Sequence, residues 1–400
     1  MEFPVNRIKS KNLVVILKTT ETCNLNCKYC YFFNGGYQNH KNHPQIIPED
    51  VIKDISTFLK QGAYNLNLKS IRINIHGGEP LLQKKTDFDW MCSFFNKELS
   101  PILKTEFSIQ TNATLIDDEW IQLFLKHNIG VGFSLDGPPD YNDENRIYKN
   151  GRGSHCKIKK NIFKLQQAIK EKRLNSEIGV LCVVNPERDA KKIYRHFVDD
   201  LHLKRMDFVL PDLTWESFNE VSSERYGYFL SEVFDEWMKD NNPEIYVRIL
   251  EAVLRTIGGR PSSLIGIGPN STLNPLVITI ASNGDLSPEE AVAHTNPEAF
   301  MNIANVKDIT LKGFIDLPII MKIEEEKNTT PFKCRSCCWE NVCKGGADHH
   351  RYKSGNGLLT HSVMCEGLKK IYSHVATYLL KNGYPADELN KTLFNSGAAQ

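Results

Sequence analysis

Short β-branched runs alternate with longer amphipathic stretches from Leu13 to near residue 235, where the alternation stops. Apolar residues at every second position predict strands, and those at every third or fourth predict helices. The alternation therefore describes β/α units around a parallel sheet. The predicted strands are Leu13–Lys18, Ser70–Ile75, Glu106–Gln110, Gly130–Leu135, Glu177–Val184 and Arg205–Leu210. Between them, Pro48–Gln61, Asp87–Leu99, Asp117–His127, Lys157–Lys170 and Arg188–Leu201 read as helices. The first of these carries Glu49 and Asp50 where a helix N-terminus favours negative charge. Six such units make an incomplete parallel barrel, an α/β fold of the partial (β/α)6 TIM type. In such barrels the chemistry gathers at the carboxyl ends of the strands.

Unusual loops fall at those ends. The run Cys23–Cys30, His76-Gly77-Gly78-Glu79-Pro80, Gln110-Thr111-Asn112-Ala113-Thr114, Ser134-Leu135-Asp136-Gly137 and Leu210-Pro211-Asp212 each follow a predicted strand directly. Farther on, Tyr228–Lys239 and Pro243–Ile257 read as helices and Gly258–Asn274 as a Gly/Pro/Asn-rich connector. Val277–Leu286 reads as a hairpin about Asn283-Gly284. The expected organisation is a barrel over 1–235, a second domain over 236–380 and a small polar tail over 381–400 that frays.

Composition narrows the partners. A formal net charge of +1 over 400 residues carries no polyelectrolyte signal for nucleic acid or a membrane surface. No apolar run approaches the ~18–20 residues of a membrane span. The amino terminus lacks the basic-then-apolar layout of a signal peptide. A soluble cytoplasmic protein is expected. The 11 cysteines are bunched: Cys23, Cys27 and Cys30 lie early, and Cys334, Cys337, Cys338, Cys343 and Cys365 late. In a chain with no export signal such spacing reads as metal sites rather than disulfides. Cys92 and Cys182, inside apolar runs, read as small buried hydrophobes.

The early spacing, C-x3-C-x2-C, supplies three thiolates where cysteine-only iron–sulfur ligation uses four. A 4Fe–4S cube held there keeps one iron open to another ligand. Taken singly, each motif has a plainer reading. Three cysteines can be half a zinc site, and Gly77-Gly78-Glu79-Pro80 and Ser134–Pro138 can be ordinary turns. Together, in order and at strand ends, they resemble the radical S-adenosylmethionine (SAM) superfamily. The resemblance implies that the open iron chelates the amino and carboxylate groups of SAM, whose reductive cleavage yields a 5′-deoxyadenosyl radical. That chemistry belongs to the cofactor; the protein orients and shields it. The resemblance further implies Tyr29 beside the adenine, and Gly77 and Gly78 at the SAM amino group, where no Cβ intrudes. Glu79 anchors that turn, Asn112, Ser134 and Asp136 contact ribose or carboxylate, and Leu210 lies at the adenine side. Arg146 pairs with the SAM carboxylate, which its planar fork suits.

Cys334-x2-Cys337-x5-Cys343 with Cys365 resembles the SPASM/twitch-type domain of peptide-modifying relatives, which binds two auxiliary clusters through seven cysteines. Three are absent here: none precedes Gly284, and Glu289 and Ala347 stand at the other two positions. By the family's ligand assignment the remaining four serve one auxiliary 4Fe–4S cluster. Cys338 is a substitute ligand or a spare thiol, and a four-thiolate zinc knuckle is the competing reading. Glu290 falls where sulfatase-maturating relatives carry an acidic base; otherwise Glu289 and Glu290 open a surface helix. The function this resemblance implies is maturation of a ribosomally made precursor peptide. A side-chain hydrogen is abstracted and a cyclophane-type carbon–carbon crosslink closes, with the auxiliary cluster accepting the electron and Glu290 the proton. The alternative is an anaerobic sulfatase-maturating enzyme that oxidises Cys or Ser to formylglycine, and a zinc scaffold without catalysis is a third reading. The implied partners are the precursor peptide and an electron donor such as flavodoxin or ferredoxin. Because little sequence precedes Leu13, leader recognition is expected from a separate leader-binding protein or from the barrel's own surface.

Overall fold

Each of the six strands expected from the alternation is present in the computed structural model, which describes residues 10–35, 38–174, 178–218, 222–261 and 275–394. They are β1 (Asn12–Thr20), β2 (Ser70–Gly77), β3 (Lys104–Thr111), β4 (Gly130–Ser134), β5 (Ile178–Val183) and β6 (Arg205–Val209). Four more follow: β7 (Tyr246–Val247), β8 (Leu276–Ile280), β9 (Asp285–Pro288) and β10 (Ala304–Asn305). The chain folds as two compact units. One comprises Met1–Leu135, Asn142–Ile178 and Thr272–Ile320; the other comprises Asp136–Tyr141, Gly179–Ser271 and Met321–Gln400.

In the first unit the strands run in the order β10-β9-β8-β1-β2-β3-β4. β1 to β4 are parallel, with Leu17 opposite Ile75 and Lys18 opposite His76. Alternate residues of these strands, among them Val15, Leu17, Ile73 and Ile75, are fully buried, each worth about 1.5–3 kcal/mol relative to exposure. The helix Glu49–Leu66 lays Ile55, Phe58 and Leu59 on the core. Gly62 lets Leu311 approach so closely that a Cβ would sit 2.5 Å from Leu311 Cδ2. β8 adds to β1 in parallel, Leu13 opposite Leu276, and turns back antiparallel as β9 through Gly284 at φ +90°. That pairing is why the segment from Thr272 to Ile320 belongs with β1–β4. The division is interleaved along the chain, unlike the expected consecutive boundary near residue 235.

In the second unit β5, β6 and β7 are parallel. The stretch Pro243–Ile257, expected as one helix, instead begins with β7. The Tyr246 amide donates to the Lys204 carbonyl (2.7 Å), and helix starts only at Arg248. Arg188–Leu201 is likewise divided, into the helix Ala190–Arg195 and a wider π turn over His196–Asp200. Asp189 caps that helix through the Lys192 amide at 2.9 Å. The helices Ser223–Asp240 and Cys365–Lys381 cross at two glycines. A Cβ on Gly227 would lie 2.4 Å from the Gly367 carbonyl oxygen, and one on Gly367 2.2 Å from that of Ser223. Within the tail expected to fray, Ala386–Phe394 is helical. Of the connector Gly258–Asn274, residues 262–274 lie outside the described residues, as do 395–400 of the tail. No helix among the described residues is long and apolar enough to cross a membrane.

Candidate active site

The cysteine loop leaves the carboxyl end of β1 and is stitched at both sides. The Asn26 amide donates to the Ile147 carbonyl (2.7 Å) and the Lys28 amide to that of Asn145 (3.1 Å). Those contacts bring Arg146 alongside, its guanidinium carbon 5.4 Å from the Tyr29 ring centre. On the other side, the amides of Gly78 and Glu79 donate to the carbonyls of Thr20 and Thr22, both at 2.8 Å. This approach leaves no space for side chains. A Cβ would fall 2.4 Å from the Thr20 carbonyl oxygen at Gly77, whose φ is +144°, and 2.1 Å from that of Thr22 at Gly78.

Glu79 is completely buried and closes this turn. Its Oε1 accepts from the Leu81 amide (3.1 Å) and the Thr111 hydroxyl (2.6 Å), and its Oε2 from the Asn112 amide (2.7 Å). Burial pushes its carboxyl up to about 7 against those three donors. Asn112 is thereby held so that its Nδ2 reaches Asn24 Oδ1 at 2.9 Å and Cys23 Sγ at 3.7 Å. Ser134, at the end of β4, accepts from Gln110 Nε2 at 2.9 Å. Burial, and after it the charge of Glu79, pushes the Cys23 thiol up to about 12, with Cys27 and Cys30 adding to the rise. A buried thiol whose ionisation is opposed by two neighbouring thiols needs a cationic centre beside it, so this donor set fits an iron–sulfur cluster.

Behind the loop lies a polar cluster that sequence reasoning did not assemble. Glu290 is buried at the start of the short helix Glu290–Ala293 and does not open a surface helix. Its carboxylate pairs with Lys18 of β1, and His294 Nε2 stands 3.8 Å from it. Lys18 Nζ also lies 3.1 Å from His76 Nδ1 and 4.6 Å from the centre of the Phe32 ring. Tyr31, next to Cys30, meets His294 edge-on at 4.6 Å. The available signal was a lysine ending an otherwise apolar strand; its partners emerge only once β1 and β2 are in register.

In the second unit, Asp136 accepts from the Val183 amide at 3.3 Å, and Leu210 is buried just past β6. Cys334, Cys337, Cys343 and Cys365 line one hollow of ≈ 340 Å³, open solvent included, with Tyr372 and Lys369 on its wall. Burial pushes Cys343 up to about 12 and Cys334 to about 11. Among the described residues no three His, Cys, Asp or Glu side chains close on a single-ion position. The four thiols line one hollow instead, a donor set of the kind that holds a 4Fe–4S cluster. Cys338 is exposed and does not line the hollow. Cys92 and Cys182 are fully buried, as their apolar surroundings implied.

The Radical SAM superfamily matches residues 17–196, and the chain is a radical SAM enzyme, mixed α/β with a parallel sheet, of a family that binds SAM and a 4Fe–4S cluster. It is homologous, more narrowly, to the anaerobic sulfatase-maturating enzymes. It is 25% identical to the cysteine-type enzyme of Clostridium perfringens (strain 13 / Type A) over 92% of this chain and 97% of that one. With the serine-type enzyme of Bacteroides thetaiotaomicron it shares 24% identity over 97% and 94%. The solved structure of native anSMEcpe with bound AdoMet and Cp18Cys peptide has the same fold. It matches with a TM-score of 0.76 at 23% identity, over 93% of this chain and 98% of that one.

Proposed function

We propose that this enzyme oxidises a Cys or Ser side chain of a peptide to the aldehyde, in the manner named for its sulfatase-maturating relatives. The observation that carries the reading is the end-to-end match to those relatives, which spans both the cysteine loop and the late cysteines. In this reading Cys23, Cys27 and Cys30 hold the SAM-binding cluster. Tyr29, Gly77, Gly78, Glu79, Asn112, Ser134, Asp136, Arg146 and Leu210 seat SAM, and Cys334, Cys337, Cys343 and Cys365 hold one auxiliary cluster. When bound and reduced, this cofactor set supplies a 5′-deoxyadenosyl radical that takes a hydrogen atom from the substrate carbon. The protein's own work is positional. The Gly77-Gly78 turn gives backbone access, Glu79 holds that turn against Asn112, and Arg146 offers a fork beside Tyr29. Glu290 receives the proton that the substrate sheds. The working partners are the peptide, a cytoplasmic one-electron donor such as flavodoxin or ferredoxin, and a leader-binding protein where the peptide needs one.

A second reading, the cyclophane-type crosslink, is favoured by Glu289 and Ala347 standing where the two-cluster pattern has cysteines. Anaerobically reconstituted protein, SAM and dithionite, offered peptides with Cys or Ser beside aromatic residues, separate the two by mass spectrometry. A carbonyl-reactive product with no new linkage supports oxidation. Loss of two hydrogens with both residues joined supports the crosslink. No release of 5′-deoxyadenosine refutes both.

A further inference from the structure

Lys18 is 3% exposed near the end of β1, directly after the apolar run Leu13–Leu17. An ammonium in such a place costs several kcal/mol unless it is paired and hydrogen-bonded. Its partners come from three separate stretches of chain: Glu290 at the start of its helix, His76 at 3.1 Å on β2, and the Phe32 ring at 4.6 Å just past Cys30. A buried ion pair is seldom more stabilising than apolar side chains of the same volume, so packing alone does not account for one here. The charge has a use.

We propose that Lys18 is a positioning residue that keeps the Glu290 carboxylate ionised and ready to accept the substrate's proton, while His76 fixes the direction of the lysine. The proposal rests on the oxidative reading of the function given above. In that reaction the substrate side chain gives up a hydrogen atom to the adenosyl radical. It then gives up one electron, to an acceptor of the iron–sulfur or flavin class, and one proton, which passes to Glu290; a serine is then the aldehyde, and a cysteine the thioaldehyde, which water converts to the aldehyde with release of hydrogen sulfide.

The hydrogen-bond chemistry is one-directional. An ammonium only donates, so His76 Nδ1 accepts from Lys18 and the ring proton resides on Nε2. Burial, with Lys18 reinforcing it, pushes His76 down to about 4, so the ring stays neutral and does not compete for the carboxylate. For Glu290, burial alone pushes the carboxyl up; Lys18 overrides it, helped by the hydrogen bond from His294, and the net position is well below the ordinary range. The groups facing Glu290 are Lys18 from β1, His76 from β2 and His294 from its own segment. Asp285 of β9 is turned to His43 at 3.6 Å, and Glu298 on the neighbouring helix is exposed. Take away the lysine and burial leaves the carboxyl protonated, with no capacity to receive a proton.

The test compares Lys18→Met, Lys18→Arg and Lys18→Met/Glu290→Gln with the parent holoenzyme, measuring modified peptide per 5′-deoxyadenosine over roughly pH 6–9. Lys18→Met is expected to lower that ratio about 10- to 100-fold near neutral pH, recovering as pH rises, while 5′-deoxyadenosine release continues. Lys18→Arg keeps the parent ratio. Infrared spectra of Lys18→Met at neutral pH show a protonated-carboxyl band that is lost on adding Glu290→Gln. An unchanged ratio and pH profile, or no such band, overturns the proposal. Because the infrared comparison needs no turnover, it decides the role of Lys18 even if the parent enzyme releases 5′-deoxyadenosine without oxidising any peptide. That last result would sink the functional reading alone.

Discussion

Replacing Glu79 dissects the turn that joins Gly77 and Gly78 to Asn112. Glu79→Ala strips acceptors from the Leu81 amide, the Thr111 hydroxyl and the Asn112 amide. Each buried donor left unpaired costs about 1–3 kcal/mol, so the three together cost at least about 3 kcal/mol. Glu79→Gln keeps the two acceptor contacts of Oε1 and sets an NH2 against the Asn112 amide, costing about 1–3 kcal/mol. The parent side chain adds a pH signature. Its carboxyl is raised by burial to about 7 from an ordinary 4.5, so the folded state holds an extra proton between those values. Its contribution to stability is therefore full below about 4.5 and lost as pH rises through about 7. At about 1.4 kcal/mol per pKa unit, the swing is about 3 kcal/mol. Hydrogen exchange of peptides covering the ends of β2 and β3, compared at matched pH, reads this local stability. The difference between parent and Glu79→Gln should move by about 3 kcal/mol in the variant's favour from acid to mildly alkaline pH, closing or reversing the gap. A gap independent of pH, or Glu79→Ala exchanging like the parent, refutes the reasoning.

Two further perturbations probe the cysteine sites. Gly78→Ala drives a Cβ to within 2.1 Å of the Thr22 carbonyl oxygen, and overpacking against backbone costs about 1–3 kcal/mol. The variant should reconstitute with less iron and release less 5′-deoxyadenosine, and full iron loading with normal release would count against that crowding. Cys343→Ala should lower the iron content from about eight to about four per chain while 5′-deoxyadenosine release persists. Loss of all iron would show instead that the two cysteine sets do not load independently.

The strands and their order of appearance were legible because apolar alternation reports burial directly, and Val15, Leu17, Ile73 and Ile75 are buried as the period requires. Boundaries drifted where local preference met tertiary pairing. Tyr246 and Val247 sit in a stretch of helical periodicity, yet β6 recruits them as an edge strand. The pairing of β8 with β1 joins residues about 260 positions apart, and no local pattern encodes such a contact. In the site, the loops at strand ends could be read because Gly77, Gly78 and Glu79 are conspicuous by type. Lys18, His76 and His294 were passed over because each is unremarkable alone, and their meaning comes from strand register and the short helix after β9 that carries Glu290.

The glycine crossing has a consequence for the late cysteines. Cys365 opens the helix whose third residue, Gly367, lies backbone-to-backbone on the helix bearing Gly227. With no side chain between them to yield, the two helical axes behave as a fixed bearing, and the thiol at the helix start inherits its coordinates from that bearing. In the reading proposed above, cluster loading at Cys365 and docking of these two helices would report on each other.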